Sequence, residues 1–329
     1  MTDVRMSRRQ FIALPVAAAC LTLPTLPAFG QSFPTRPIKI VVPSPPAGTT
    51  DLIARAVGSR MQGTWRQPVV IENKPGAGLR LGAEYVAKSQ PDGYTLLLAA
   101  VHHSIAQAVY KKRSYDLEKD LTPVSIIAVV PNVLIVPASL PVKNVKEFIA
   151  LAKSQRGKLS YGSTGNGTAH HLIGEQFNDM AGTKLLHVPY KGSAPALTDL
   201  MGGQIQAMFD TASSCLPYIT SGKVRALAVT SAKRSVALPD VPTLSESGLA
   251  GFDIATWFGL MAPAGTSKDV VAQLQKETAR MLALPEMREQ LTKAGAEPVG
   301  STSEQMAQQI HGEVQRFSTL AKKVDLELE

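Results

Sequence analysis

Cysteine is almost missing from this chain. Only Cys20 and Cys215 occur among 329 residues, and Cys20 falls inside an N-terminal leader described below. Once that leader is removed, no intrachain disulfide and no cysteine metal cluster can form. Cys215 follows Ser213-Ser214 with no histidine close by in sequence, and reads as buried and inert. Aromatic residues make up 5% of the chain, too few for a stacking platform on nucleic acid. No basic cluster is dense enough to hold DNA. The longest, Lys111-Lys112-Arg113, reads as a solvated helix end. Outside the leader, no apolar run reaches the length of a membrane span.

Catalytic signatures are missing as well. There is no G-x-S-x-G elbow, no H-E-x-x-H and no P-loop, and Gly162-Ser163-Thr164-Gly165 lacks the elbow's spacing. Gly76-Ala-Gly78-Leu-Arg-Leu-Gly82 imitates a dinucleotide fingerprint. However, Asn73-Lys74-Pro75 separates it from the preceding strand, and no acidic residue stands where a ribose would need one. The glycines read instead as permitting a tight turn. His102-His103 and His170-His171 point apart within each pair, and no cysteine, carboxylate or i,i+4 histidine completes a metal set. They read as hydrogen-bonding groups at a pocket rim or as helix-surface residues. The sequence therefore predicts no enzyme, no metal and no cofactor. A periplasmic α/β hydrolase is the remaining catalytic alternative, and turnover of a bound ligand would reveal it.

What is present begins with an address. Ser7-Arg8-Arg9-Gln10-Phe11-Ile12 precedes an Ala/Leu-rich run to Leu26, and Ala28-Phe29-Gly30 supplies small residues for cleavage. This pattern predicts a twin-arginine export signal over 1–30, cut near Gly30-Gln31, with a periplasmic mature chain. An ordinary secretory signal with a basic start is the alternative, and it leads to the same compartment. Losing Arg5, Arg8, Arg9 and Asp3 lowers the formal net charge from +8 to +6, which suits an anionic ligand weakly.

The mature chain is organised around Ile38–Met61. Ile38–Val42 is a short β-branched run and reads as a buried strand. Pro43-Ser-Pro-Pro-Ala-Gly-Thr-Thr cannot continue a strand or a helix. Asp51 then opens a helical pattern, with Ile53, Val57 and Met61 on one face. A strand, a rigid turn and a helix together aim the N–H groups of Gly48, Thr49 and Thr50 at one point, where an anion is favoured. An ordinary βα turn with Asp51 as helix cap explains the same residues. The arrangement recurs, however: sharp turns follow strands at 43–50, 100–103, 163–168, 190–195 and 210–214. Alternating strands and helices predict mostly parallel sheets with helices on both faces. Ligands bind beyond the carboxyl ends of such strands. A long apolar stretch, Val124–Val130 and Val133–Val136 broken at Pro131, reads as a first crossing into a second lobe, and Ile254–Ala262 as the return. Three helices form the tail, with starts marked by Ser267, Pro285 and the Thr302/Gln305 capping box.

Several stretches together resemble one family. They include FPTRPIKIVVPSPPAGTTDLIAR, QPVVIENKPGAG, PDGYTLLLAA, LSYGSTGNGTAHHL, HVPYKGSAPALTDLMGGQIQAMFD and WFGLMAPAGT. The family is the Bug-type extracytoplasmic solute receptors of tripartite tricarboxylate transporters. The resemblance implies an α/β, two-lobed, type II-like periplasmic-binding-protein fold with two crossovers and a ligand cleft between the lobes. Lobe 1 would be residues 31–130 plus 254–329, and lobe 2 residues 131–253. It implies a monomer that captures a small organic carboxylate and delivers it to membrane transporter subunits. That ligand could be a di- or tricarboxylate, an aromatic acid or an acidic amino acid. A receptor of the same fold that presents its ligand to a signalling partner is the alternative. Carried over by position, first-lobe contacts would be Ala47, Gly48, Thr49, Thr50, Asp51, Val101, His102 and His103. Second-lobe contacts would be Ser163, Thr164, Asn166, Gly167, Thr168, His171, Tyr190, Lys191, Gly192, Ser193 and Asp210. The chain departs from the family at Gly48-Thr49, at Leu79-Arg80 and at His102-His103.

Overall fold

The computed structural model describes Thr2 and residues Phe33–Leu328. The export leader predicted over 1–30 therefore lies, Thr2 aside, outside the described residues. In chain order the elements are β1 (Ile38–Val42), α1 (Thr49–Trp65), β2 (Val69–Asn73), α2 (Arg80–Ala87), β3 (Thr95–Ala100) and α3 (Val101–Val109). Next come β4 (Leu121–Pro137), α4 (Val145–Ser154), β5 (Ser160–Ser163), α5 (Ala169–Ala181), β6 (Leu186–Pro189) and α6 (Ser193–Met201). The chain continues with β7 (Ala207–Thr211), α7 (Ala212–Thr220), β8 (Val224–Val229) and β9 (Ala255–Pro263). It ends with α8 (Lys268–Ala283), α9 (Pro285–Lys293), β10 (Glu297–Pro298) and α10 (Ser303–Lys323).

Two groups of strands share β4. In the first, β1 lies between parallel β2 and β3, and β3 continues through antiparallel β9 to β4, which also carries β10. In the second, Asn132–Pro137 of β4 pairs antiparallel with β7 and β8, and β5 lies parallel between β7 and β6. The sheets are thus mixed rather than mostly parallel, because the long strands β4 and β9 run against their neighbours. The expected break at Pro131 is also absent. β4 runs unbroken for 17 residues and exchanges partners there, with Pro131 opposite Ala255 and Asn132 opposite Thr211. A proline fits where one ladder of hydrogen bonds hands over to another. A buried polar knot fastens the exchange: Thr230 Oγ1 donates to Ile254 O at 2.5 Å, and Thr256 Oγ1 donates to Asn132 Oδ1 at 3.1 Å.

The apolar spacing sets the packing. On α1, Ile53, Val57 and Met61 are buried under β1, while Leu52 on the opposite face is exposed. Each buried aliphatic side chain stabilises the fold by roughly 1.5–3 kcal/mol. Helix starts follow their capping residues. Asn144 accepts from Glu147 N–H, Ser267 caps α8, Pro285 opens α9, and Thr302 and Gln305 form a reciprocal capping box. Cys215 is buried and free, as expected.

Candidate functional site

α1 begins at Thr49, two residues before the expected Asp51. Gly48 is its N-cap, and no side chain caps the helix. Asp51 lies buried in the first turn and pins the loop beneath it. Its Oδ2 accepts from Ala47 N–H at 3.0 Å and from Arg55 Nε at 2.9 Å, and its Oδ1 accepts from Asn73 Nδ2 at 3.0 Å. Burial alone would raise its pKa, but the Arg55, Ala47 and Asn73 hydrogen bonds outweigh burial and hold the carboxyl below its usual range. With Asp51 committed to the loop, the first-turn N–H groups keep no intrahelical acceptor. The sharp bend falls on Ala47, at φ 68°, while Gly48 has an ordinary φ of −84°. Glycine is therefore not required at 48 for conformational reasons. Thr49 Oγ1 joins a hydroxyl triangle with Thr211 Oγ1 (2.6 Å) and Ser214 Oγ (3.0 Å), tying the start of α1 to the start of α7.

A cavity of about 540 Å³ opens over this terminus. Ala47, Gly48, Thr49, Thr50, His102, Thr164, Tyr190, Lys191, Gly192 and Ser193 line it, so ten of the positions singled out from sequence meet at one place. Its second helix terminus is that of α6, which starts at Ser193 behind Gly192 and carries no side-chain cap. Among the described residues, Lys191 is the only Lys, Arg, Asp or Glu on its wall, and it is exposed.

The other singled-out residues sit behind the wall, where several close helix termini with protein groups. Ala100 N–H donates to His103 Nδ1 at 3.1 Å at the start of α3. At the start of α5, Ala169 N–H donates to His102 Nδ1 at 3.0 Å and Gly167 N–H to His171 Nδ1 at 3.2 Å. At α7, Thr211 N–H donates to Asp210 Oδ1 at 2.9 Å, and the same oxygen accepts from Ser193 Oγ at 2.8 Å. Asp210 therefore braces the start of α6. Val101 is wholly buried in the core. Ser163 Oγ is held by His187 Nε2 at 2.6 Å, Asn166 O accepts from Tyr110 Oη at 3.1 Å, and Thr168 Oγ1 donates to Gly165 O at 2.8 Å. The expected turns at 100–103 and 210–214 are not turns, since β3 runs directly into α3 and β7 into α7.

Accepting an N–H requires an unprotonated imidazole, and burial supplies it. Burial lowers His103 and His170 to about 4, lowers His171, with His187 adding, to about 3, and lowers His187 to about 4. Burial, helped by His170 and His103, also puts His102 well below its usual value. The Asp210 carboxyl is pushed up to about 7 by burial, against the Ser193 and Thr211 hydrogen bonds. His170 lines the cavity with its Nδ1 on Thr164 Oγ1 at 2.9 Å. Its buried Nε2 has no partner and stands 3.9 Å from Asp210 Oδ1.

The wall also includes Ser44–Pro46, Gly165, Ala194, Pro195 and Thr211, which lie within the turns singled out from sequence without being named as contacts, and Pro75–Leu79, His170 and Phe258, which sequence reasoning misses. Pro75–Leu79 is the glycine turn at the end of β2, and four consecutive residues there, Gly76 to Leu79, have positive φ. Ala47, Ala77 and Leu79 are three of the five described non-glycine residues with positive φ, and all three line the cavity. Left-handed backbone at such residues costs of order 1–3 kcal/mol and gathers at functional sites. The position of this turn at a strand's carboxyl end was the available signal. Arg80 is not on the wall: it stacks 3.6 Å from the Tyr110 ring centroid and donates to Ala77 O at 2.9 Å. A second groove of about 570 Å³ beside α1 carries Arg55, Arg60 and Arg280. Each of these is paired with an acid, Asp51, Glu286 and Glu277 respectively, so it offers an anion little.

Comparison with known proteins identifies the family and the fold. The family model described as tripartite tricarboxylate transporter family receptor, TctC, matches residues 53–326. Protein BugT of Bordetella pertussis is 36% identical over 304 residues, covering 92% of this chain and 93% of BugT. The structure of Rpa4515 from R. palustris with adipate is 38% identical with a TM-score of 0.87, covering 90% of this chain and 99% of that one. MatC from Rhodopseudomonas palustris with bound malate is 34% identical with a TM-score of 0.83, covering 88% and 99%. The fold is therefore the α/β periplasmic-binding-protein fold, and the family consists of receptors rather than enzymes. This chain belongs to the TctC family of tripartite tricarboxylate transporter receptors.

Proposed function

We propose that the mature chain is a monomeric periplasmic receptor that binds a small dicarboxylate and hands it to tripartite-type membrane transporter subunits. One observation carries this reading: the uncapped N-termini of α1 and α6 share a cavity whose wall, among the described residues, has no arginine and no acidic side chain. A helix N-terminus favours an anion through its unpaired N–H groups and its dipole, and two of them suit two carboxylates. Relatives solved with adipate and with malate support the same class. In this reading Ala47–Thr50, His102, Thr164 and Tyr190–Ser193 contact the ligand. Asp51, His103, Ser163, Asn166–Thr168, His171 and Asp210 hold those contacts in place. The two lobes, 31–130 with 254–329 and 131–253, close on the ligand about the exchange near Pro131 and Ile254.

The test is thermal-shift screening with mono-, di- and tricarboxylates, aromatic acids, amino acids and sugars. A dicarboxylate at about 100 times its dissociation constant adds roughly 2.7 kcal/mol of stability. A melt that responds to sugars and not to carboxylates refutes the reading. Export rests on Arg8 and Arg9: changing both to Lys should leave precursor in the cytoplasm, and normal delivery would refute the twin-arginine assignment.

A further inference from the structure

The termini of α1 and α6 open on the cavity, and a third, that of α5, is met by the protein itself at His102. Its N-cap Thr168 makes no side-chain cap, because the hydroxyl is spent on Gly165 O. The donor that would greet an anion, Ala169 N–H, instead meets the ring nitrogen of His102, 67 residues earlier in the chain. Gly167 N–H, one turn edge further out, is taken by His171. The His102 ring forms part of the cavity wall and stands edge-on to His170 at 5.6 Å between centroids. His170 also lines the cavity, and its buried Nε2 has no hydrogen-bond partner and stands 3.9 Å from Asp210 Oδ1. A neutral imidazole lone pair satisfies the N–H hydrogen bond but adds no negative charge, so it fills the anion position without delivering an anion.

We propose that His102 is a specificity-determining residue: its imidazole occupies the N-terminus of α5 in place of a third ligand carboxylate, so the cavity accepts dicarboxylates and rejects tricarboxylates. The proposal rests on the carboxylate-receptor reading above and narrows it. His102 acts by occupation. With the ring removed, the cavity extends to Ala169 N–H, and α5 becomes a third open terminus beside those of α1 and α6. An asparagine at 102 retains an acceptor oxygen near the position of the ring nitrogen and so keeps the terminus closed.

The experiment is calorimetric titration of the mature wild-type chain, His102→Ala and His102→Asn with succinate, adipate and propane-1,2,3-tricarboxylate. Circular dichroism and thermal melts check that each variant folds. The wild type should prefer the better dicarboxylate over the tricarboxylate by at least 100-fold. His102→Ala should reduce that preference at least tenfold, and His102→Asn should restore the wild-type ratio. A wild type that binds the tricarboxylate as tightly as a dicarboxylate overturns the proposal even if neither variant folds. So does a folded His102→Ala that keeps the wild-type ratio. If the wild type binds none of the three acids, nor any other carboxylate in the thermal-shift screen, the receptor reading itself fails and takes this proposal with it.

Discussion

The helix termini around the cavity fall into two kinds. Those of α1 and α6 carry no side-chain cap and line the open space. Those of α3, α5 and α7 have a backbone donor committed to His103, to His102 with His171, and to Asp210. All five follow a strand, and all but α3, which opens on Val101, begin with small or polar residues. The fold therefore supplies more anion-favouring positions than the ligand needs, and buried side chains decide which remain open. A neutral histidine suits the closing role because it accepts one hydrogen bond and carries no charge into the core.

The largest expected effect is on acid stability, because the closed termini depend on neutral histidines. His102, His103, His170, His171 and His187 all have lowered pKa values through burial. Below about pH 6.5 the unfolded chain takes up protons that the native chain refuses, so stability falls as pH falls. Each group contributes up to about 1.4 kcal/mol per pH unit until its native value is reached. Asp210, raised rather than lowered, works in the opposite direction, one group against five. The urea midpoint should therefore be level above pH 7 and drop steeply from pH 6.5 toward 4. A flat profile over that interval would contradict the neutral-histidine account.

Asp210→Asn sharpens the comparison at α7. The carboxyl's native value of about 7 exceeds its ordinary 3.8. Wild-type stability is therefore lost as pH rises through that interval, with a ceiling on the order of 4 kcal/mol. The amide oxygen can still accept from Ser193 and Thr211. The variant should match the wild type near pH 4, gain on it up to pH 7, and hold that gain at pH 8. A variant less stable than wild type at pH 8 would mean that ionised Oδ2 has a partner essential to the fold.

At the open terminus of α6, Gly192 has φ 126°, a backbone conformation side chains rarely adopt, and a Cβ there would stand 3.6 Å from Pro45 Cγ. Gly192→Val should cost about 1–3 kcal/mol in strain and displace the N–H groups, weakening ligand binding at least tenfold by calorimetry. Gly48→Ala, with nothing nearer than 3.9 Å, should cost no more than about 1 kcal/mol, the usual penalty for alanine at an N-cap. Equal losses at the two glycines would argue against the conformational distinction. On binding, the smaller effect is that of Thr50→Ala, which removes one neutral hydroxyl from the wall and should cost roughly 0.5–1.5 kcal/mol.

Much of the fold was legible because its signals are local. β1 falls where strand patterning puts it, Ser267 and Pro285 mark the starts of α8 and α9, and the Thr302/Gln305 box marks α10. In sequence β4 reads as two pieces because Pro131 looks like a breaker; the proline's tolerance depends on a change of partner that sequence does not display. Within the candidate site, the loops were legible and their division of labour was not. Asp51, His102 and Asp210 look alike in the chain, as polar residues at strand-to-helix junctions. Whether each faces the cavity or closes a terminus depends on partners such as Asn73, Ala169 and Ser193, 22, 67 and 17 residues away.

The central claim is that backbone N–H groups at two open termini, rather than a charged side chain, hold the ligand. Lys191, the only permanent charge on the wall among the described residues, makes the direct test: calorimetry of a dicarboxylate with wild type, Lys191→Gln and Gly192→Val. The account predicts a loss of about tenfold or less for Lys191→Gln, within the range of a single exposed ionic contact, and a larger loss for Gly192→Val. Abolished binding in Lys191→Gln together with intact binding in Gly192→Val would contradict it.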